Sequence, residues 1–163
     1  MKAIISGLSF SVLFILLMAG AFTVSGQGQT LNQANLIALN AQGQQGQFNG
    51  PHLSVNYSYV LTGGDMQLTG NVQFGMTMQA NYTAVESFKL GLALADTQGN
   101  VLGEQGLTSA FYSNVGDTMN FNTSVVVPQQ TAFMAFTYSG QAYGAGAASG
   151  PAPINFSFSP FAN

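Results

Sequence analysis

The sequence predicts an all-β protein, an antiparallel β-sandwich of about seven strands behind an apolar N-terminal helix. Three observations carry that prediction. Beyond residue 50, apolar side chains alternate with polar ones at a period of two, as in strands buried on one face. Clusters of Gly, Asn, Asp and Pro separate these runs, and helix signals are few. The chain is also 47 % hydrophobic, with 13 Phe and 6 Tyr, enough apolar surface to collapse although only 4 % of its residues are charged.

The chain starts with Met1-Lys2 and an apolar core from Leu8 to Met18, which Ser6, Gly7, Ser9 and Ser11 dilute on its N-terminal side. Small residues follow, at Ala19-Gly20-Ala21 and again at Val24-Ser25-Gly26. A cation, a short apolar core and small residues are the parts of a secretory signal peptide, so residues 1–26 read as one, cut near Ala21 or Gly26. The alternative is an uncleaved anchor over residues 3–24, long enough to cross the hydrocarbon of a bilayer. Either way the protein is expected outside the cytoplasm: secreted, on the cell surface or in the periplasm, or membrane-anchored.

Residues 27–50, QGQTLNQANLIALNAQGQQGQFNG, read as a low-complexity arm broken by Leu31 and the apolar patch Leu36-Ile37-Ala38-Leu39. The sandwich is expected over residues 51–163. Its first strand is Leu53, Val55, Tyr57, Tyr59 and Leu61 alternating with polar residues; Thr62-Gly63-Gly64-Asp65 turns the chain, and Met66, Leu68, Val72 and Phe74 bring it back. Met76, Met78 and Tyr82 are expected to extend that strand past a bend at Gly75. Phe88, Leu90, Leu92 and Leu94 face one way in the next strand, and the small residues between them imply that its second face is covered too. Asp96-Thr97-Gln98-Gly99-Asn100 turns into a strand over Val101 to Leu107, and a loop carrying Phe111 and Tyr112 leads to Asp117. Met119 to Val127 forms a strand that Pro128 stops, and Ala132 to Tyr138, apolar on both faces, reads as a central strand. GAGAASGPAP, residues 144–153, reads as a flexible linker before a last strand, Ile154, Phe156 and Phe158, that Pro160 ends.

Seven short strands with turns between them fit an immunoglobulin-like sandwich. Within Met66 to Leu102, the segments LTGNVQF, VESFKLGLALAD and QGNVL resemble FxLyD-type and related immunoglobulin-like domains of exported prokaryotic proteins. In those domains a strand ending in an aromatic residue precedes a long strand closed by an Asp-x-x-Gly hairpin. The chain departs from them in lacking Asn after Phe74 and in the insertion Gly75 to Ala84. What the resemblance implies is the fold; it transfers no functional residue.

Charge and cysteine content narrow the function. Beyond residue 26 the charged side chains are Asp65, Glu86, Lys89, Asp96, Glu104 and Asp117. One cation cannot neutralise a phosphate backbone or an anionic lipid surface, so neither nucleic acid nor anionic headgroups are expected partners; a membrane enters only if the N-terminal segment is retained. The absence of Cys excludes disulfides, thiol catalysis and thiolate metal sites. His52 is the only histidine and is expected to be a solvent-facing polar residue at a strand edge. Asp96 and Glu104 flank one hairpin as a conceivable carboxylate pair, but an Asp that opens a turn has a sufficient local role in bonding backbone N–H groups. The Asp96–Asn100 turn has its glycine at the fourth position, where a calcium loop of the EF-hand kind needs it at the sixth, and lacks the bidentate Glu at the twelfth. No enzyme, metal or cofactor is therefore expected.

What remains is binding and assembly. Asn56, Asn81, Asn122 and Asn155 open N-x-S/T sequons, and all but Asn81 fall on polar strand faces. Phe111 and Tyr112 are candidates for stacking on a sugar, whereas Tyr57, Tyr59 and Tyr138 share faces with apolar residues and belong to the core. Leu36, Ile37 and Leu39 in the arm, and Ile154, Phe156 and Phe158 after the linker, are candidate assembly strands, since either segment is able to complete a neighbour's sheet by main-chain hydrogen bonding. The expected function is a non-enzymatic extracellular structural or interaction protein, self-assembling by strand exchange, with itself or another envelope protein as partner. The alternative is a secreted carbohydrate-binding or accessory envelope module with glycans as ligands.

Overall fold

The computed structural model describes residues 28–144 and 152–162. The predicted signal peptide or anchor, and most of the 144–153 linker, lie outside them. The strands are Ile37–Ala38 (β1), Gln44–Asn49 (β2), Leu53–Thr62 (β3), Asp65–Phe74 (β4), Ala84–Ala95 (β5), Val101–Asn114 (β6), Met119–Val126 (β7), Phe133–Tyr143 (β8) and Ile154–Phe158 (β9), with one helix, Met76–Asn81 (α1). They pair into two antiparallel sheets, β2-β3-β4-β7 and β8-β5-β6, with β1 and β9 both added to the free side of β8. The fold is thus an all-β antiparallel sandwich. The seven strands read from the sequence are β3 to β9; β1 and β2 come from the region read as an arm, where Gln44–Asn49 pairs residue by residue with β3.

Period-two patterning accounts for the main core. Leu53, Val55, Tyr57 and Tyr59 of β3 and Met66, Leu68, Val72 and Phe74 of β4 point between the sheets, all buried. Thr62 pairs with Asp65 across the two-residue loop Gly63-Gly64. Both glycines have positive φ, +62° and +96°, the backbone a tight hairpin of right-twisted strands requires. From the facing sheet come Phe88, Leu90, Leu92 and Leu94 of β5 and Met134, Phe136 and Tyr138 of β8. The expectation that Tyr57, Tyr59 and Tyr138 are core residues holds, and Tyr59 uses its hydroxyl to accept a hydrogen bond from the Asn40 amide at 2.7 Å.

The outer face of β5 is covered at one end, as its small residues imply. Ala93 and Ala95 are fully buried there with Leu31, Val101 and Ala135, and Leu36 and Phe161 pack against them. Around this second core the Asn32 amide donates to Pro160 and the Ala162 amide to Thr30, joining the two ends of the described residues, and the Leu31 amide donates to Gly99. At one side of the sandwich, side chains tie the sheets together. Gln105 of β6 donates to the Ser124 carbonyl of β7 at 2.9 Å, and Thr123 donates back to the Leu107 carbonyl at 3.1 Å.

Two expectations about local structure are corrected. Met76, Met78 and Tyr82 do not extend β4; the chain folds into α1, which buries Met78 and leaves Met76 87 % exposed. Continuing as a strand past Gly75 would leave the end of the core open, whereas one helical turn drops Met78 into it. Phe111 and Tyr112 are not in a loop, because β6 continues to Asn114 along β5.

Candidate functional site

The two segments singled out for assembly lie on one edge. β1 pairs Ile37 with Met134 and Ala38 with Phe133 at the start of β8. β9 pairs Ile154 with Ala142, Asn155 with Gln141, Phe156 with Gly140, Ser157 with Ser139 and Phe158 with Tyr138 towards its end. One strand from near each end of the described residues therefore closes the same side of β8, end to end. Without them that side would present unpaired N–H and C=O groups along a central strand. In the structure both segments pack within their own chain. Leu36 joins the second core, Leu39 packs on the main core, and the Leu39 amide donates to Ala132 at 2.9 Å.

Apolar side chains fasten β9 more firmly than β1. Phe156 is 3 % exposed, its ring 5.7 Å from Phe74, 6.4 Å from Phe88 and 5.6 Å from His52, centroid to centroid. Phe158 packs on Phe48 of β2 at 5.2 Å and on Tyr138 at 5.7 Å, so it joins the edges of the two sheets. The Phe156 ring occupies the room left by Gly140. A Cβ on Gly140 would run into the Phe156 ring, and would lie 2.6 Å from the Ser87 carbonyl oxygen of β5. The absent side chain is thus a pit in the β8 edge, shaped for one aromatic ring.

His52 forms one wall of that pit, which corrects its assignment as a solvent-facing residue. It is half-buried; its backbone N–H donates to the Tyr138 hydroxyl at 3.3 Å, and its Nδ1 lies 3.1 Å from the same oxygen. Burial pushes the Tyr138 phenol up to about 12, so the hydroxyl keeps its hydrogen and is able to donate it to Nδ1 in the tautomer that leaves this nitrogen without one. Sequence reasoning missed both Gly140 and His52. A glycine inside an otherwise apolar strand, opposite an aromatic residue, was the available signal.

The remaining candidates are dispersed. Phe111 and Tyr112, 63 % and 74 % exposed, sit near the end of β6, and Tyr112 holds a left-handed φ of +53° that is strained for an aromatic residue. Phe111 pairs with Ser87, which lines a depression of about 370 Å³ together with Lys89, Ser139, Gln141, Asn155 and Ser157. Among the sequons, Asn122 and Asn155 are exposed on their strands and Asn81 is exposed at the end of α1. Asn56 donates to Asn71 across β3 and β4, and Asn81 donates to the Thr77 carbonyl within α1. Glu104 pairs with Ala93, well along the ladder from Asp96, and burial raises its carboxyl above the ordinary value.

Asp96 has the turn role. Its Oδ1 accepts from the Gln98 and Asn100 amides at 2.8 and 2.9 Å, and its Oδ2 from the Asn100 side chain at 2.9 Å. The Asn100 side-chain bond leads in holding the carboxyl below its ordinary value, with the backbone bonds adding to it. A folded value below the unfolded one stabilises the fold above the unfolded pKa, and that contribution is lost as pH falls through the folded value. Asp96→Asn is therefore expected to lower Tm at neutral pH and to converge on the parent as pH falls below the ordinary carboxylate range and the Asp96 carboxyl protonates. Thermal melts of both proteins from pH 7 to pH 2 check this.

No protein-family model, curated protein or solved structure matches the chain.

Proposed function

We propose that this chain is a non-enzymatic structural or interaction protein of the cell exterior that assembles, with copies of itself or with an envelope partner, by main-chain pairing along the β8 edge. One observation carries the reading: a central strand is closed by two short strands from near opposite ends of the described residues, one of which follows a Gly/Ala/Pro-rich connection. Displacing either strand leaves hydrogen-bonding groups that another strand is able to satisfy. The low charge supports the same reading, since copies with one cation and five acids beyond residue 26 repel one another weakly. The signal-like residues 1–26 support an extracellular setting.

A second reading, a carbohydrate-binding module, has its own observation. Of the exposed pair Phe111 and Tyr112, Phe111 is the register partner of Ser87 in the depression around Lys89, which uncharged hydrogen-bonding side chains and the Phe156 ring also line. One experiment separates the two. The protein is held a few degrees below its Tm over a range of concentrations, cooled, and measured by light scattering, with retention on a panel of immobilised polysaccharides in parallel. Assembly expects mass that grows with concentration and is unaffected by Tyr112→Ala. A monomer throughout, with polysaccharide retention lost in Tyr112→Ala, overturns assembly in favour of the binding module.

A further inference from the structure

Resting on the assembly reading, we infer that β9 is the strand exchanged, and that its receptor is the β8 edge of a second copy of this chain, with Phe156 entering the pit over Gly140. Three observations choose β9 over β1. First, adjacent antiparallel strands need a connection of roughly two to five residues, yet ten, Gly144 to Pro153, separate β8 from β9. Fully extended, such a run reaches about 33 Å, enough to place β9 on a neighbouring sandwich. β1 has no connection of that length on either side and is held between Leu31 in the second core and the six-residue ladder of β2.

Second, β9 has only β8 as a ladder partner, so no other strand must separate when it leaves. Beyond it the described tail is attached through the bonds of Pro160 and Ala162 to Asn32 and Thr30 and through Phe161, which packs on the second core beside Leu31, so exchange takes Ile154 to Ala162 together. Third, the receptor is complete without β9. Gly140, Ser87, His52, Phe74, Phe88 and Tyr138 make the pit, and they belong to β4, β5, β8 and the β2–β3 turn. A copy lacking its own β9 thus presents a preformed groove whose best ligand is the β9 of another copy. The closed and exchanged states contain the same contacts, so concentration decides between them.

The absence of Cys supplies a clean test. Ser139 and Ser157 are exposed register partners, one on β8 and one on β9, at a spacing a disulfide is able to bridge. Protein with Ser139→Cys and protein with Ser157→Cys are mixed, held below Tm, cooled and oxidised. A 139–157 disulfide between two chains, mapped by mass spectrometry and suppressed by excess synthetic peptide of residues 152–162 but not by its Phe156→Ala form, is the expected result. The doubly substituted protein, oxidised before incubation, locks β9 within its own chain and is expected to stay monomeric. Assembly that persists in the locked protein, or that forms without the 139–157 link and ignores the peptide, overturns β9 as donor while leaving assembly by another edge. A parent protein that stays monomeric under every condition overturns both readings.

Discussion

Phe156→Ala is expected to cost about 3–5 kcal/mol of folding stability, the range for deleting a buried aromatic ring from a packed core. The ring is 3 % exposed and is surrounded by Phe74, Phe88 and Tyr138, which stand in paired strands, and by His52, which is hydrogen-bonded to Tyr138, so little is free to collapse into the space. At about 3–5 °C per kcal/mol for a domain of this size, Tm falls by roughly 10–20 °C. Phe158→Ala is the internal comparison. That ring is only partly buried, so its loss is expected to cost less than half as much. Differential scanning calorimetry of the three proteins measures both values. The same substitution is informative about assembly, because it weakens β9 wherever β9 sits. A peptide or a neighbouring copy carrying Phe156→Ala is a poor donor for the same reason that the variant is a poor monomer.

How much of this was legible in the sequence differs from element to element. The β3–β4 hairpin is readable because two local signals agree: strict alternation on both sides and a Gly-Gly turn whose positive φ angles only glycine adopts without strain. The Asp96 turn is readable for a similar reason, since every bond that fixes it lies within five residues. β2 is not readable. Its residues, QQGQFN, have no alternation of their own, and it is a strand because six consecutive residues find the free side of β3. α1 is hidden for the opposite reason: Gly75 caps it without a side-chain bond, and its Met and Gln residues suit several backbones. The site follows the same division. Ile154, Phe156 and Phe158 announce a strand by their period, but the pit that receives Phe156 is assembled from residues distant in sequence. His52 meets Tyr138 across 86 positions, a contact no local pattern encodes.

Gly140→Ala is expected to destabilise the fold by about 2–3 kcal/mol, at the upper end of what one added carbon costs in a packed core. Two neighbours resist the new methyl, and they yield differently. The Phe156 ring is able to tilt, but only against Phe74 and Phe88, whereas the Ser87 carbonyl at 2.6 Å is fixed by the β5–β8 ladder. A double-mutant cycle separates the two contributions. With Phe156→Ala already present, the ring conflict is gone, and Gly140→Ala should cost less by about 1 kcal/mol or more, within the usual range for touching residues. Whatever cost remains reports the carbonyl. Equal costs in both backgrounds would mean that the pit is not shaped by the ring. Exchange sharpens the expectation further, because the methyl weakens β9 equally in its own chain and in a neighbour. The fraction assembled at equilibrium should then hardly change, while the rate at which assemblies form rises, since opening β9 becomes easier. A variant that lowers the assembled fraction without speeding its formation would show that the assembly does not pass through this groove.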